Sequence, residues 1–157
     1  MAKQVEDQVL LTAEGLATLK EELYELKTKR QPAVIERIRK AKEYGDLSEN
    51  AEYDDAKNEQ GFVGGRIAEI EEILKKAKVV ERGDGNGVVQ LGSTVKVHLD
   101  GDTEEFTIVG AAEADPMAKR ISHESPLGRA LLGKKVGEKV EVDAPVGKIT
   151  YTIKKIS

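Results

Sequence analysis

Leucines recur early in the chain at Leu16, Leu19, Leu23 and Leu26, in steps of three, four and three. That spacing keeps them on one narrow stripe of a helix, the seam of a coiled coil. Thr12, just ahead of the stripe, is a residue type that caps helix N-termini. Pro32 interrupts, and the stripe resumes one position later at Val34, Ile38 and Ala41. A proline inside a helix removes a backbone donor and costs about 3 kcal/mol, so a kink or local unwinding is expected there. The pattern stops at Tyr44-Gly45-Asp46-Leu47, where Gly45 suits the left-handed position past a helix end. Ser48 is expected to cap a second helix, whose stripe runs Val63, Ile67, Ile70, Leu74 and Ala77. Two heptad-patterned helices joined by a short turn predict an antiparallel hairpin. Arms of roughly 30 residues reach about 45 Å. A compact helical bundle is the alternative, but it needs more apolar surface than two narrow seams supply.

The period changes after residue 80. Arg82-Gly83-Asp84-Gly85-Asn86-Gly87 is a turn-rich linker. Beyond it, apolar residues alternate with polar ones, as in half-buried strands. Val95, Val97 and Leu99 form one run, and Phe106 with Ile108 form another. Arg120–His123, Val140–Val142 and Ile149–Ile156 complete about five strands. Ser125 followed by Pro126 is a cap-plus-first-residue signature, so Leu127–Leu132 is read as a short helix closed by Gly133. The fold class is α+β. Residues 1–80 are expected to form the coiled-coil hairpin, with its tip near 44–49, and residues 81–157 a small sheet domain.

Composition narrows the chemistry. The 157 residues contain no Cys, which excludes disulfides, thiolate catalysis and thiolate metal sites. Two histidines, His98 and His123, do not make a metal cage, and four Tyr and two Phe do not line a large aromatic pocket. No apolar run approaches the roughly 20 residues of a membrane span. The first residues lack the apolar core of a signal peptide, so a cytoplasmic protein is expected. The sheet half offers no paired catalytic carboxylates, no nucleophile with a base and no phosphate-cradling glycine loop.

Charge is more informative than its net value of −4. From Lys27 to Lys42 seven bases stand against one acid, Glu36; from Glu43 to Glu59 seven acids stand against one base, Lys57. Two explanations are open. Acids near a helix N-terminus complement its dipole and the arms can pair across the hairpin. Alternatively, Lys29, Arg30, Arg37 and Lys40, which fall within about 100° of one another on a helical wheel, form a stripe that tracks a phosphate backbone. No aromatics alternate with that stripe, so base stacking is not indicated. Neither dipole nor pairing accounts for Asp46 in the turn. With Glu49 three residues on, it would project from the end of the rod. Two carboxylates suit a hard cation such as Mg²⁺ but leave most of its six positions unfilled, so the pair makes sense if it completes a site on another molecule.

The run Tyr44-Gly45-Asp46-Leu47-Ser48-Glu49-Asn50-Ala51-Glu52-Tyr53, followed by Ala56-Lys57-Asn58-Glu59-Gln60-Gly61-Phe62 and Gly65-Arg66-Ile67, resembles the apex of the Gre family of bacterial transcript cleavage (transcription elongation) factors, of the GreA type. Ser125-Pro126-Leu127-Gly128-Arg129-Ala130-Leu131-Leu132-Gly133-Lys134-Lys135-Val136-Gly137 is similar to that family's C-terminal signature. Many members carry His at the position of Tyr44, and some carry a basic residue at that of Ser48; neither departure touches the carboxylate pair.

The resemblance implies a coiled coil followed by a domain of FK506-binding-protein-like fold. It implies that this second domain docks at the rim of the secondary channel of bacterial RNA polymerase, and that the coiled coil enters the channel. There the factor, not itself an enzyme, stimulates the polymerase to cleave backtracked RNA and rescues the arrested complex. Carried over, Asp46 and Glu49 are the tip carboxylates that share a Mg²⁺ with the polymerase, in the manner of two-metal hydrolysis. Lys42 and Lys57 are the near-tip bases facing the RNA 3′ end, with Arg37 on the basic stripe behind them. Glu124, Ser125 and Pro126 match the docking positions. Three other classes share features with this chain: a channel-binding paralogue that inhibits the polymerase, a prolyl isomerase or chaperone on a coiled coil, and a nonspecific DNA-binding coiled coil. The intact Asp46/Glu49 spacing, the scarcity of aromatics (Phe106 and Tyr151 alone after residue 80) and the seven acids towards the far end speak against them in turn.

Overall fold

A computed structural model of the chain describes residues 8–46, 50–81 and 87–157. The expected cap Ser48, the expected tip carboxylate Glu49 and most of the linker lie outside the described residues. Two compact units are present: Ala17–Lys76, and the chain up to Leu16 together with Ala77–Ser157.

The first unit is the hairpin. Its first arm comprises α1 (Ala13–Glu25), a π-helical stretch Leu26–Arg30 and α2 (Gln31–Lys42). Thr12 caps α1 as expected, its Oγ1 accepting from the Gly15 N–H at 3.0 Å. The unwinding expected at Pro32 takes the form of the π turn just ahead of it, where the Gln31 N–H donates to the Leu26 carbonyl. A π turn accommodates one extra residue. The seam step from Leu26 to Val34 is one longer than a heptad, and the widened turn absorbs the excess, so both residues are buried. The second arm is α3 (Ala51–Lys76). Leu19, Leu26, Val34, Ile38 and Ala41 on the first arm, and Ala56, Val63, Ile67 and Ile70 on the second, are the buried seam.

Opposite charges join the arms. Arg66 donates to both carboxylate oxygens of Glu22 at 2.7 and 2.9 Å. Lys27 pairs with Glu71, Arg30 with Glu59 at 3.3 Å, and Arg37 with Glu52 at 2.9 Å and with Glu59. Low residue numbers on one arm meet high ones on the other, which makes the hairpin antiparallel.

The second unit holds the sheet. β1 (Val9–Leu11) pairs in parallel with β2 (Ala77–Val79). Ala77, expected as the last seam residue, therefore begins a strand, and residues 9–16 and 77–80, expected in the hairpin, group with the sheet domain. The Glu113 carboxylate contributes to this grouping: it accepts from the backbone N–H of Thr12 at 2.9 Å, from the Thr12 hydroxyl and from the Gly110 N–H at 3.2 Å. Gly15 leaves room for it, since a Cβ there would lie 1.9 Å from a Glu113 carboxylate oxygen.

Five strands, β3 (Thr94–Leu99), β4 (Asp102–Val109), β5 (Arg120–Ser122), β6 (Lys139–Ala144) and β7 (Gly147–Ile156), form a sheet in the order β5-β4-β3-β7-β6. All pairs are antiparallel except β4 with β5. Val95 and Val97, Phe106 and Ile108, Val140 and Ile153 point into one core with Leu131 of the short helix α4 (Pro126–Leu131). The alternation in the sequence identified these faces. No helix among the described residues is long and apolar enough to cross a membrane.

Candidate functional site

The apex of the hairpin is built by local hydrogen bonding. α2 ends at Lys42, and the chain tightens as Glu43, Tyr44 and Gly45 donate backbone N–H bonds to the carbonyls of Lys40, Ala41 and Lys42 at 3.1–3.2 Å. Gly45 has φ +89°, where a side chain would be strained, so the glycine lets the chain turn away from the helix axis. Asp46 follows, its N–H donating to the Tyr44 carbonyl at 3.3 Å, and is exposed.

Asn50 closes the apex from the other arm. Its Oδ1 accepts from the Tyr53 N–H at 3.2 Å and its backbone carbonyl accepts from the Asp54 N–H at 3.1 Å, which makes it the cap of α3 in place of the expected Ser48. Its Nδ2 also donates to the Ala41 carbonyl at 2.7 Å. One side chain thus starts the second arm and ties it to the end of the first, a double duty that a serine hydroxyl is too short to perform.

The expected site residues fall into three settings. Asp46 and Lys42 are exposed at the apex, and Lys57 is exposed on α3, its Nζ 3.2 Å from Gln60 Oε1. Arg37, expected to face a phosphate backbone, instead lies between Glu52 and Glu59. The Glu52 hydrogen bond raises the pKa of Arg37 above its ordinary value, with Glu59 and Asp55 adding to the effect. Lys29 and Arg30 of the same stripe also meet carboxylates, Glu25 and Glu59. Cross-arm and intrahelical pairing therefore accounts for three of the four stripe residues.

Glu124, Ser125 and Pro126 belong to the sheet unit, at the start of α4. The Ser125 hydroxyl donates to the Ser122 carbonyl at 2.6 Å and accepts from the Gly128 N–H at 3.1 Å. Pro126 begins the helix, and the Glu124 side chain is 65% exposed. Ser125 is thus a structural cap that presents Glu124 to solvent.

Among the described residues, no group of three or more His, Asp or Glu is placed to hold a metal ion. Asp46 supplies carboxylate oxygens of the right hardness for Mg²⁺ but too few to enclose it. A cavity of about 390 Å³ in the sheet unit is lined by residues including Thr12, Thr94, Thr107 and Arg120, and no aromatic side chain borders it. Phe106 is buried against Tyr151, ring centroids 6.5 Å apart. An aromatic-lined isomerase pocket has no counterpart there.

The family model described as transcription elongation factor, N-terminal, matches residues 9–79, and that described as transcription elongation factor, GreA/GreB, C-term, matches residues 84–157. Transcription elongation factor GreA of Thermoanaerobacter pseudethanolicus is 54% identical over 151 residues, covering 94% of this chain and 96% of that protein. Its counterpart in Bacillus subtilis is 52% identical over 149 residues, covering 94% and 95%. The crystal structure of Thermus aquaticus Gfh1 aligns at 30% identity over 96% of this chain and 98% of that one, with a TM-score of 0.46, an overlap too loose to add to the sequence match.

Proposed function

The chain belongs to the GreA/GreB family of transcription elongation factors, and from that premise we propose that it binds bacterial RNA polymerase and stimulates cleavage of backtracked RNA. In this reading the sheet unit docks on the polymerase through the surface around Glu124 and Pro126. The hairpin enters the secondary channel and delivers its apex to the active centre. The protein acts in the cytoplasm with its polymerase and is a cofactor rather than an enzyme.

The observation that carries the reading is the placing of Asp46. It stands exposed just beyond a turn fixed on one side by Gly45 and on the other by Asn50. An exposed carboxylate at that place is accessible from solvent at the end of the first arm. Asp46, with Glu49 three residues on, would complete the coordination of a Mg²⁺ already held in part by the polymerase. A Mg²⁺ there supplies charge that activates water and stabilises the developing oxyanion. Lys42 and Lys57 contribute positive charge towards the RNA phosphates, while Arg37 holds the two arms together behind them.

Asp46→Asn and Glu49→Gln keep the shape and remove the charge. Each should leave polymerase binding nearly unchanged and slow single-turnover RNA cleavage by about 10²–10³, the effect of losing a preorganised electrostatic contact. Raised Mg²⁺ should restore part of the rate. Undiminished cleavage by Asp46→Asn at limiting Mg²⁺ would exclude the shared-metal mechanism, and a wild type that binds without stimulating cleavage would mark an inhibitor.

A further inference from the structure

Tyr44 is 80% exposed, the highest exposure among the described large apolar side chains of the hairpin. It does not reach the seam, and an aromatic ring held in water has no stabilising role in the arm that carries it. Its main chain is fixed nonetheless: the Tyr44 N–H donates to the Ala41 carbonyl at 3.2 Å and its own carbonyl accepts from the Asp46 N–H at 3.3 Å. The ring borders an open cavity of about 540 Å³ whose other walls are Arg37, Lys40, Ala41, Asn50 and Glu52.

The chemistry of that cavity is selective. Arg37 and Glu52 close on each other at 2.9–3.0 Å. Both ends of the Asn50 amide are engaged, by Tyr53 and by Ala41. Neither pair is offered to the edge of a ligand. What the cavity leaves open to a ligand is the exposed side chain of Tyr44 and that of Lys40, one helical turn before it, since Ala41 in its wall is fully buried. A flat ring carrying a negative charge beside it matches an aromatic ring next to an ammonium, and a nucleotide is such a ligand. The basic stripe contains no interleaved aromatic, and the fold supplies one at its end.

We propose that Tyr44 is a base-stacking residue: its ring receives one nucleobase of the backtracked RNA while Lys40 meets the adjoining phosphate. Stacking on a face rather than pairing with an edge makes this subsite indifferent to base identity. It lies two residues from Asp46, so a base held on Tyr44 positions the RNA relative to the tip carboxylate. The proposal rests on the cleavage reading above.

The test uses stalled complexes of the cognate polymerase and the full-length protein. RNAs carry either all bases or a single abasic nucleotide, stepped through the backtracked segment. Polymerase affinity is measured separately. Tyr44→Ala should bind polymerase as wild type does and slow cleavage of the complete RNA by about tenfold, within the range that loss of one base–aromatic stack produces. Tyr44→Phe should keep the wild-type rate. With the abasic nucleotide at one particular position, wild type should fall to the rate of Tyr44→Ala, and the substitution should cost nothing further. Equal rates for Tyr44→Ala and wild type on complete RNA would overturn the proposal. So would a loss by Tyr44→Ala that persists at every abasic position, or a Tyr44→Phe as slow as Tyr44→Ala. If wild type does not stimulate cleavage of complete RNA at all, the cleavage reading itself fails and the proposal with it.

Discussion

In the hairpin, buried side chains lie in a single file along each arm, from Leu19 to Ala41 and from Ala56 to Ile70, with solvent on both sides of the seam. In the sheet unit, Val89, Leu91, Val95, Val97, Phe106, Ile108, Leu131, Val140 and Ile153 form one cluster enclosed by strands and α4. A file gives each residue few neighbours, so the hairpin adds ion pairs across the arms; a cluster surrounds each residue and leans on them less. The contrast teaches where each unit can give way. A thin seam leaves the apex free of core demands, so Gly45 can serve the turn while Tyr44 and Asp46 stay exposed. The sheet unit has no such latitude at its centre, and its exposed α4 entry is held by a capped helix.

Cutting equal volumes from the two regions should have unequal effects. Ile153→Ala removes a fully buried side chain from the enclosed cluster and should cost about 4 kcal/mol, because the surrounding strands cannot collapse into the gap. Ile67→Ala opens a seam whose neighbours can relax towards each other and should cost about 2 kcal/mol. Hydrogen exchange read segment by segment measures each loss in its own unit, which is needed because two units need not unfold together. Equal losses would remove the distinction between file and cluster.

Both regions were readable from periodicity, and for different reasons. The 3.5-residue step of the leucines and the two-residue alternation of Val95, Val97, Phe106 and Ile108 are direct records of which faces are buried. What escaped was whatever depends on partners distant in sequence. β1 and β2 are three residues each, too short for a period to show, and they exist because they pair with one another. Glu113 reaches back to Thr12 across about a hundred positions. At the apex, Gly45 takes the left-handed conformation that its place after the first arm predicted. Arg37 is engaged by Glu52 and Glu59, acids that come from the other arm and so are not its neighbours in sequence. The cap moved from Ser48 to Asn50 since only the longer side chain meets both α3 and Ala41, although Asn immediately before the helix was itself a cap signal. Tyr44 lies beyond the last cation of the stripe, where no period marks an exposed aromatic.

Asn50 marks the point where the hairpin departs from a simple seam. Asn50→Ala removes the cap of α3 and frees the Ala41 carbonyl together, and it should destabilise the hairpin by about 1–2 kcal/mol. Exchange should rise first at residues 41–45 and 51–55 while the sheet unit is unchanged. Ser48→Ala should stay within about 0.5 kcal/mol of wild type. The reverse order would return the cap to Ser48.

The smallest effect separates ion pairing from seam packing. Arg66 donates to both oxygens of Glu22, and that hydrogen bonding, aided by the guanidinium charge and opposed by partial burial, lowers the Glu22 pKa below its ordinary value. The folded hairpin thus binds this proton less readily than the unfolded chain does. The pair's contribution is complete above the unfolded pKa of about 4.3 and is lost as pH falls through the lower folded value. The Glu22 side chain is 37% exposed, so solvent screening limits the contribution to under about 1 kcal/mol. Glu22→Gln should accordingly lower hairpin protection at pH 7 by a few tenths of a kcal/mol, an amount of the order expected for a screened pair. The gap to wild type should close as pH is taken from 5 to below 3. Glu72 is the contrast: its pKa is also lowered, by Lys76 on the same helix, so Glu72→Gln changes the acid response without touching the pairing of the arms. A gap for Glu22→Gln that stays constant down to pH 3 would mean that the Glu22 side chain acts by packing, and that the seam alone holds the base of the hairpin.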